Sequence, residues 1–153
     1  MKYNPVGVGE IELDTIILDL NGTLSVNGAL VVGVKEQLAK LKKMGYVIYL
    51  FTGDQRGNAT VLAREIGLEV QKATTAEEKE ILTSKLDTNK TVAIGNARID
   101  IGTFKKTKLR IATLQAEGIH TDILNFVDII VPSIVDALNL LINPDIFNAT
   151  MRK

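Results

Sequence analysis

The sequence predicts an α/β domain with a doubly wound, mainly parallel β-sheet. Two observations support this fold class: short apolar runs rich in β-branched residues recur along the chain, and patterns typical of amphipathic helices lie between them. Uninterrupted apolar strands suit a sheet that helices cover on both faces, and strand–helix alternation builds the βαβ units of such a sheet. Because 153 residues suit one hydrophobic core, we expect a single domain over residues 1–153.

Six apolar runs are predicted as strands of this sheet. They span residues 15–20, 46–51, 68–70, 91–94, 109–113 and 128–131. A further N-terminal strand is predicted at residues 10–13, directly before the first core strand.

Helices are predicted between these strands from apolar spacing and terminal signals. Val34, Leu38 and Leu41 share one helical face, and a second helix spans Ala59–Ile66; a glycine follows each pattern as a stop signal. A third helix is predicted to start after Thr75, because Thr-Ala-Glu-Glu matches a capping box. A looser version of that box begins at residue 133 and predicts a C-terminal helix.

A β-hairpin is predicted between the first core strand and the first helix. Asn27 and Gly28 stand between apolar positions of the segment 24–32, and Asn-Gly is the preferred pair for a two-residue hairpin turn. The hairpin would therefore follow the loop that contains Asp19.

Composition excludes several classes of function. The 18 basic and 18 acidic residues cancel, so bulk charge does not favour nucleic-acid binding. The chain has no Cys, which excludes disulfides and thiolate metal sites. No apolar run approaches the roughly 18 residues of a membrane span, and no signal-peptide pattern follows the N-terminus. We expect a cytoplasmic protein that binds neither membrane nor nucleic acid.

Polar clusters follow three of the predicted strands. In an open α/β sheet, ligands bind beyond the carboxyl ends of the strands, so these clusters should meet at one edge. They are Asp19-Leu20-Asn21-Gly22-Thr23, Thr52-Gly53-Asp54 and Gly95-Asn96-Ala97-Arg98-Ile99-Asp100.

The residue types in these clusters suit phosphoryl transfer. A carboxylate such as Asp19 can attack phosphorus and form an aspartyl-phosphate. Because attacker and phosphate are both anionic, a hard cation such as Mg²⁺ has to bridge them, held by oxygen ligands such as Asp100. A hydroxyl such as that of Thr52 and a lysine ammonium group would hold the phosphoryl oxygens.

The three motifs resemble those of the haloacid dehalogenase (HAD) superfamily. They are Asp-x-Asn-Gly-Thr-Leu at 19–24, Thr-Gly-Asp at 52–54 and Gly-Asn-x-x-x-Asp at 95–100. More narrowly, the chain resembles the small stand-alone archaeal and bacterial proteins called soluble P-type ATPase-like. The resemblance covers residues 10–143 and implies a HAD-like, Rossmannoid sheet with a hairpin flap after the first strand and no large cap.

The resemblance implies roles for single residues. Asp19 matches the nucleophile, Thr52 the phosphate-binding hydroxyl of the second motif, and Lys79 the lysine of the third; Lys72 and Lys85 remain alternatives for that lysine. The implied catalytic residues are Asp19, Asn21, Thr52 and Lys79. The implied phosphate-binding residues are Asn21, Gly22, Thr52, Gly53 and Lys79. The implied Mg²⁺ ligands are Asp19, Asn21 through its main-chain carbonyl, Asn96 and Asp100.

Two asparagines depart from the superfamily pattern. Asn21 stands where most phosphatases of the superfamily have a general acid/base Asp, whose loss costs about 10²–10⁴-fold in rate. Asn96 replaces the first acid of the fourth motif, which weakens the attraction for Mg²⁺. P-type ATPases also lack the acid at the position of Asn21, and their phosphoenzymes are long-lived.

The resemblance thus implies a slow Mg²⁺-dependent phosphohydrolase or phosphotransferase that works through Asp19. The alternative is a catalytically weak phosphate-binding or regulatory module of the same fold. Without a large cap the site should be open, which suits a large phosphorylated substrate or a homo-oligomer whose second subunit covers it. Whether ATP is the substrate is left open. Asp54 either caps the next helix or stands at the rim of the site, and Arg98 and His120 are interpreted as surface and loop residues.

Overall fold

A six-stranded parallel sheet forms the centre of the molecule, which is a computed structural model that describes residues 1–54 and 57–153. In chain order the strands are β1 (Lys2–Tyr3), β2 (Ile11–Glu12), β3 (Thr15–Leu18), β4 (Ser25–Val26), β5 (Ala29–Leu30), β6 (Val47–Thr52), β7 (Val70–Lys72), β8 (Thr91–Gly95), β9 (Leu109–Thr113) and β10 (Ile129–Val131). The helices are α1 (Val34–Lys43), α2 (Ala59–Ile66), α3 (Ala76–Thr83), α4 (Ile101–Phe104), α5 (Ile134–Ile142) and α6 (Pro144–Met151).

The central sheet has the strand order β10-β9-β8-β3-β6-β7, and all of its pairs are parallel. The chain passes from β3 to β6 on one side and later returns to β8 on the other side, so the strand order switches at β3. Leu18, the last residue of β3, lies opposite Leu50 of β6 and Ile94 of β8. The predicted fold class is therefore confirmed, and the polar clusters that follow these three strands emerge at the topological switch point.

β6, β8 and β10 differ from the predicted bounds by one residue, and two strands shift by two residues because loops take the hydrogen bonds. β3 ends at Leu18 rather than at residue 20, since the Leu20 carbonyl accepts from the amides of Thr23 and Ser25 and so closes a tight loop. β7 spans Val70–Lys72 rather than 68–70, since the amide of Leu68 donates to the end of α2.

The predicted helices form with the predicted caps. The hydroxyl of Thr75 accepts from the amide of Glu78 at 3.1 Å, and Ser133 caps α5 in the same way. Two helices were not predicted. α4 is only 4 residues long, and α6 begins at Pro144 behind the cap residue Asn143.

Two small hairpins stand outside the central sheet. In β4–β5, Asn27 and Gly28 have φ values of 52° and 83°, the two positive angles that a type I′ turn requires, so the predicted flap hairpin is confirmed. The strand predicted at 10–13 forms as β2, but it pairs antiparallel with β1 instead of joining the main sheet.

Apolar side chains cover both faces of the sheet. One large cluster joins side chains of the strands with Leu38, Leu62 and Leu138 of the helices α1, α2 and α5. A smaller cluster on the other face contains Ala93 and Phe104, because neighbouring residues of a strand point to opposite faces. In the described part of the chain, no helix is long and apolar enough to cross a bilayer.

We predict that Gly102→Ala destabilises the protein and displaces α3. A Cβ atom at Gly102 would lie 1.8 Å from the carbonyl oxygen of Ala76, so α4 and α3 would have to separate. Overpacking of this kind costs about 1–3 kcal/mol in the free energy of unfolding. Urea unfolding measures the free energy of unfolding of the variant. In a relaxed helix, Gly→Ala stabilises the protein by up to about 1 kcal/mol, so a variant that is as stable as the wild type, or more stable, would contradict the tight contact.

Candidate active site

A tight loop at the end of β3 holds Asp19. The amide of Asp19 still donates to Ile94 of β8 at 3.1 Å, and the amide of Gly22 donates to Ser25 at 2.8 Å, so both ends of the loop are fixed. Gly22 has a φ of 77°, and a Cβ there would lie 2.2 Å from the side-chain nitrogen of Asn96. Only glycine allows the two loops to approach this closely.

Lys79 lies between two buried carboxylates. Its Nζ atom is 2.9 Å from Oδ1 of Asp19 and 2.6 Å from Oδ1 of Asp100, and the lysine side chain is 1% exposed. Lys72 and Lys85, the alternatives left open by the sequence, are both exposed. The tertiary structure therefore brings Lys79, and neither of those two lysines, to Asp19.

The charges of this trio shift one another. Burial, and then the nearby Asp100 carboxylate, raise the pKa of Asp19, while Lys79 opposes that shift. Burial lowers the pKa of Lys79, but the two carboxylates outweigh it and raise the pKa above its ordinary value. Lys79 is thus positively charged at neutral pH, and with both carboxylates ionised the trio carries one net negative charge.

Asp100 organises the loop that follows β8. Its Oδ2 atom accepts from the amides of Asn96 at 2.9 Å and Ala97 at 2.8 Å, while Oδ1 pairs with Lys79. A Cβ on Gly95 would lie 2.4 Å from this Oδ2 atom, so glycine is needed there. Both oxygens of Asp100 have protein partners, and a direct contact between Asp100 and a metal stays a prediction.

Asn96 ties three loops together. Its side-chain oxygen accepts from the hydroxyl of Thr23 at 3.3 Å, and its side-chain nitrogen donates to the Gly118 carbonyl at 2.9 Å. The Asn96 side chain therefore connects the Asp19 loop with the segment after β9. Its predicted role as a metal ligand is not decided by these contacts.

Thr52 ends β6 with a hydroxyl that is available to donate. The residue is 1% exposed, and its Oγ1 atom accepts from the amide of Asp54 at 3.1 Å. Because that contact uses Oγ1 as an acceptor, the hydroxyl hydrogen is left for another oxygen, as the predicted phosphate contact requires.

A cavity of about 240 Å³ joins the predicted motifs. It is lined by Asp19, Asn21, Thr52, Gly53, Asp54, Ala97 and Ile99. Side chains from all three predicted clusters thus meet at one place. Arg98 lies outside this lining, is 70% exposed and pairs with Asp122 at 3.1 Å, in agreement with its interpretation as a surface residue.

The flap hairpin is bound on two sides by residues that the sequence did not single out. Asn58, which precedes α2, donates from its side chain to the Gly28 carbonyl at 3.1 Å. The Asn27 amide donates to the Glu117 carboxylate at 3.4 Å. These contacts join segments at least 30 residues apart, so no local pattern in the sequence announces them.

Comparisons with known proteins support the fold. The chain is 25% identical over 142 residues to a soluble P-type ATPase-like phosphatase of Methanocaldococcus jannaschii, and the match covers 88% of the chain and 52% of that protein. Cobalt-bound deoxy-D-mannose-octulosonate 8-phosphate phosphatase of Haemophilus influenzae superposes with a TM-score of 0.73 at 13% identity, over 93% of this chain and 94% of that one. The chain has the haloacid dehalogenase fold.

A second HAD structure agrees. The 3-deoxy-D-manno-octulosonate 8-phosphate phosphatase of Moraxella catarrhalis, in complex with a magnesium ion, a phosphate ion and KDO, superposes with a TM-score of 0.70 at 18% identity, over 92% of this chain and 94% of that one. The resemblance predicted from the three motifs is confirmed. No protein-family model matches the chain, and the chain spans about half the length of the curated relative it matches.

The donors at the HAD site fit a hard divalent cation. In the described residues, no group of three or more His, Cys, Asp or Glu side chains gathers as a metal cluster. The candidate ligands are nevertheless the Asp19 carboxylate, the main-chain carbonyl of Asn21 and the side-chain oxygen of Asn96. These ligand types suit Mg²⁺, which keeps several waters. The buried Oδ1 atom of Asn21 has no hydrogen-bond partner among the described residues, so this oxygen is left to accept from a polar ligand.

We predict that Lys79→Met strongly destabilises the protein. The substitution leaves Asp19 and Asp100 buried without their cation, and breaking a buried ion pair costs about 3–5 kcal/mol in the free energy of unfolding. Urea unfolding of the metal-free protein at pH 7 measures the loss.

Lys72→Met is the matched control, because Lys72 is exposed. Asp100→Asn in the Lys79→Met background removes one of the two uncompensated charges and should recover part of the loss. Equal stabilities of Lys79→Met and Lys72→Met would contradict the buried trio.

Proposed function

We propose that this chain is a Mg²⁺-dependent phosphohydrolase or phosphotransferase that forms an aspartyl-phosphate on Asp19. The observation that carries the proposal is the placement of Asp19: it is buried against Lys79 at the sheet switch point and lines the same cavity as Thr52. The coarser function, phosphate-ester hydrolysis, is also what the names of the similar HAD proteins describe.

Each residue of the site has a distinct part in this mechanism. A carboxylate oxygen of Asp19 bonds to phosphorus, and the bond from phosphorus to the leaving oxygen breaks. Lys79 and the hydroxyl of Thr52 hold the phosphoryl oxygens, and the amide of Gly53 can support them. The amide of Gly22, a predicted phosphate-binding residue, already donates to the Ser25 carbonyl. Water then cleaves the aspartyl-phosphate and regenerates Asp19.

Mg²⁺ is the cofactor that these donors suit. Asp19, the Asn21 carbonyl and Asn96 would hold it, with Asp100 in support through Lys79 and the loop amides. Bound there, the cation supplies positive charge between the anionic nucleophile and the anionic phosphoryl group. Since Asn96 contributes no charge, binding should be weaker than at a site with a carboxylate in that position.

Asn21 makes turnover slow in this proposal. An amide can neither give a proton to the leaving oxygen nor take one from water, and loss of such a group costs about 10²–10⁴-fold in rate. Asn21 and Asn96 together favour a second candidate: a module that binds phosphate or stays phosphorylated and acts through that state rather than through turnover.

The substrate class is a phosphorylated compound. The elements of the described residues include no large cap, so a bulky phosphosubstrate can reach the site, or a second copy of the chain can cover it. The octulosonate phosphates in the names of the structural neighbours are the substrates of those proteins; this chain shares the fold with them at under 20% identity.

We predict that Asp19→Asn abolishes Mg²⁺-dependent hydrolysis of p-nitrophenyl phosphate and removes a phosphoryl adduct seen by intact-mass analysis of quenched enzyme. An amide cannot replace the carboxylate nucleophile. Asp145→Asn serves as the control, because Asp145 is an exposed carboxylate on α6, outside the three motifs of the candidate site. Equal background rates for the wild type and Asp19→Asn would refute the enzyme, whereas an adduct or tight beryllofluoride binding without turnover would support the second candidate.

We further predict that Asn21→Asp speeds steady-state turnover at least tenfold at saturating Mg²⁺. The new carboxyl group supplies the proton transfers that the amide cannot make. Asn96→Asp is the comparison variant, and it should lower the Mg²⁺ concentration for half-maximal activity more than it raises the maximal rate. A turnover rate unaffected by Asn21→Asp would show that proton transfer at this position does not limit the reaction.

A further inference from the structure

We propose that Asp54 is the general base that activates the water which hydrolyses the aspartyl-phosphate on Asp19. This inference rests on the proposed function and fills the position that Asn21 leaves without a proton acceptor. The sequence left Asp54 between a helix cap and a residue at the rim of the site, and the structure gives it features of both.

Asp54 shares the cavity with the nucleophile. Among the described residues that line this cavity, Asp19 and Asp54 are the two with carboxylates. The remaining lining residues are glycine or have amide, hydroxyl or apolar side chains. None of these groups can accept a proton from water near neutral pH. Asp54 therefore lies beside the same cavity of about 240 Å³ that is proposed to hold the phosphoryl group and the attacking water.

One oxygen of Asp54 is already used and the other is not. Oδ2 accepts from the amide of Ala59 at 3.0 Å and so caps the start of α2. Oδ1 is buried and has no hydrogen-bond partner. Capping uses one oxygen only, and a buried polar atom without a partner calls for an explanation. Water does not reach Oδ1 in this conformation, so the Asp54 side chain has to rotate toward the cavity for this oxygen to meet a water.

The backbone holds Asp54 in an unusual conformation. Its φ is 37°, in the left-handed region that residues other than glycine seldom adopt. The amide of Asp54 donates to Thr52 at 3.1 Å and the carboxylate binds Ala59, so contacts at both ends maintain this conformation. Such strain is concentrated at functional sites, and here Thr52 and Asp54, two residues of the same turn, both line the cavity.

Other titratable groups near the site are less suited to the task. Both oxygens of Asp100 are bonded, to Lys79 and to two loop amides. Glu117 and His120 line a neighbouring groove rather than the Asp19 cavity, and His120 binds the amide of Asp122. Asp54 is the carboxylate of the cavity, apart from the nucleophile, that has an unbonded oxygen.

The hydrolytic step is balanced without any further reagent. The water oxygen bonds to phosphorus, the bond between phosphorus and the Asp19 oxygen breaks, and its electron pair stays on the Asp19 carboxylate. One proton of the water passes to Oδ1 of Asp54, and the products are inorganic phosphate, Asp19 and protonated Asp54. Asp54 then releases this proton to solvent.

A pair of substitutions separates the base from the cap. Asp54→Asn keeps an oxygen that can accept from the Ala59 amide, whereas Asp54→Ala removes both the cap and the base. With p-nitrophenyl phosphate and Mg²⁺, both variants should lose at least tenfold in turnover, and quenched samples should show a larger phosphorylated fraction than the wild type. Thermal unfolding should show Asp54→Asn close to the wild type and Asp54→Ala less stable.

A role limited to capping gives the opposite result. Asp54→Asn would then turn over like the wild type with an unchanged phosphorylated fraction, and this would overturn the inference. Asp122→Asn is the control, because Asp122 is an exposed carboxylate paired with Arg98 outside the cavity lining. Asn21→Asp in the Asp54→Asn background should restore hydrolysis, since it returns a proton acceptor to the site.

The proposed function and this inference fail in different ways. A wild-type protein with no turnover and no adduct that depends on Asp19 would overturn both. A wild type that turns over through Asp19, together with an active Asp54→Asn variant, would overturn the role of Asp54 alone.

Discussion

The contact of Lys79 with Asp19 and Asp100 is the constraint on which the rest of the site depends. It joins the end of β3, the first turns of α3 and the loop after β8 through one ammonium group. All three side chains are buried, so each charge would be costly without the others. The trio therefore fixes the distance between the central sheet and α3, and the close contact of Gly102 with α3 holds that helix in place.

A second set of contacts makes the Asp19 loop rigid from the other side. The side-chain amide of Gln115 donates to the Thr23 carbonyl at 2.6 Å and accepts from the amide of Ile134 at 2.9 Å, so it bridges the loop and the start of α5. Thr113 donates to the Gly22 carbonyl at 3.3 Å. A loop that is held from β8, β9 and α5 can keep a nucleophile in position, which is what a preorganised site requires.

The site has the charged groups that phosphoryl transfer requires, but the residue at position 21 cannot transfer a proton. In the proposed mechanism, Asp19 is the nucleophile and Lys79 and Thr52 hold the phosphoryl oxygens, but Asn21 has no proton to exchange. That mechanism favours formation of a phosphorylated state over its breakdown. The lifetime of the proposed state would then depend on the carboxylate that reaches the attacking water, and Asp54 is a carboxylate residue of the cavity lining.

The sequence by itself determined the α/β class, the order of the six core strands and of four of the six α-helices, the caps at Thr75 and Ser133, and the turn at Asn27, because each of these depends on periodicity or hydrogen bonds within a few residues. It also indicated the three motifs whose loops meet. Only the tertiary structure decided that Lys79 rather than Lys72 or Lys85 reaches Asp19, that both Asp100 oxygens are occupied and that one Asp54 oxygen is not. The same holds for the pairing of β2 with β1. The ion pairs and the strand pairing depend on partners far apart in the chain. The burial of these groups sets their charge and their hydrogen bonding, and it exists only once the sheet and helices have packed.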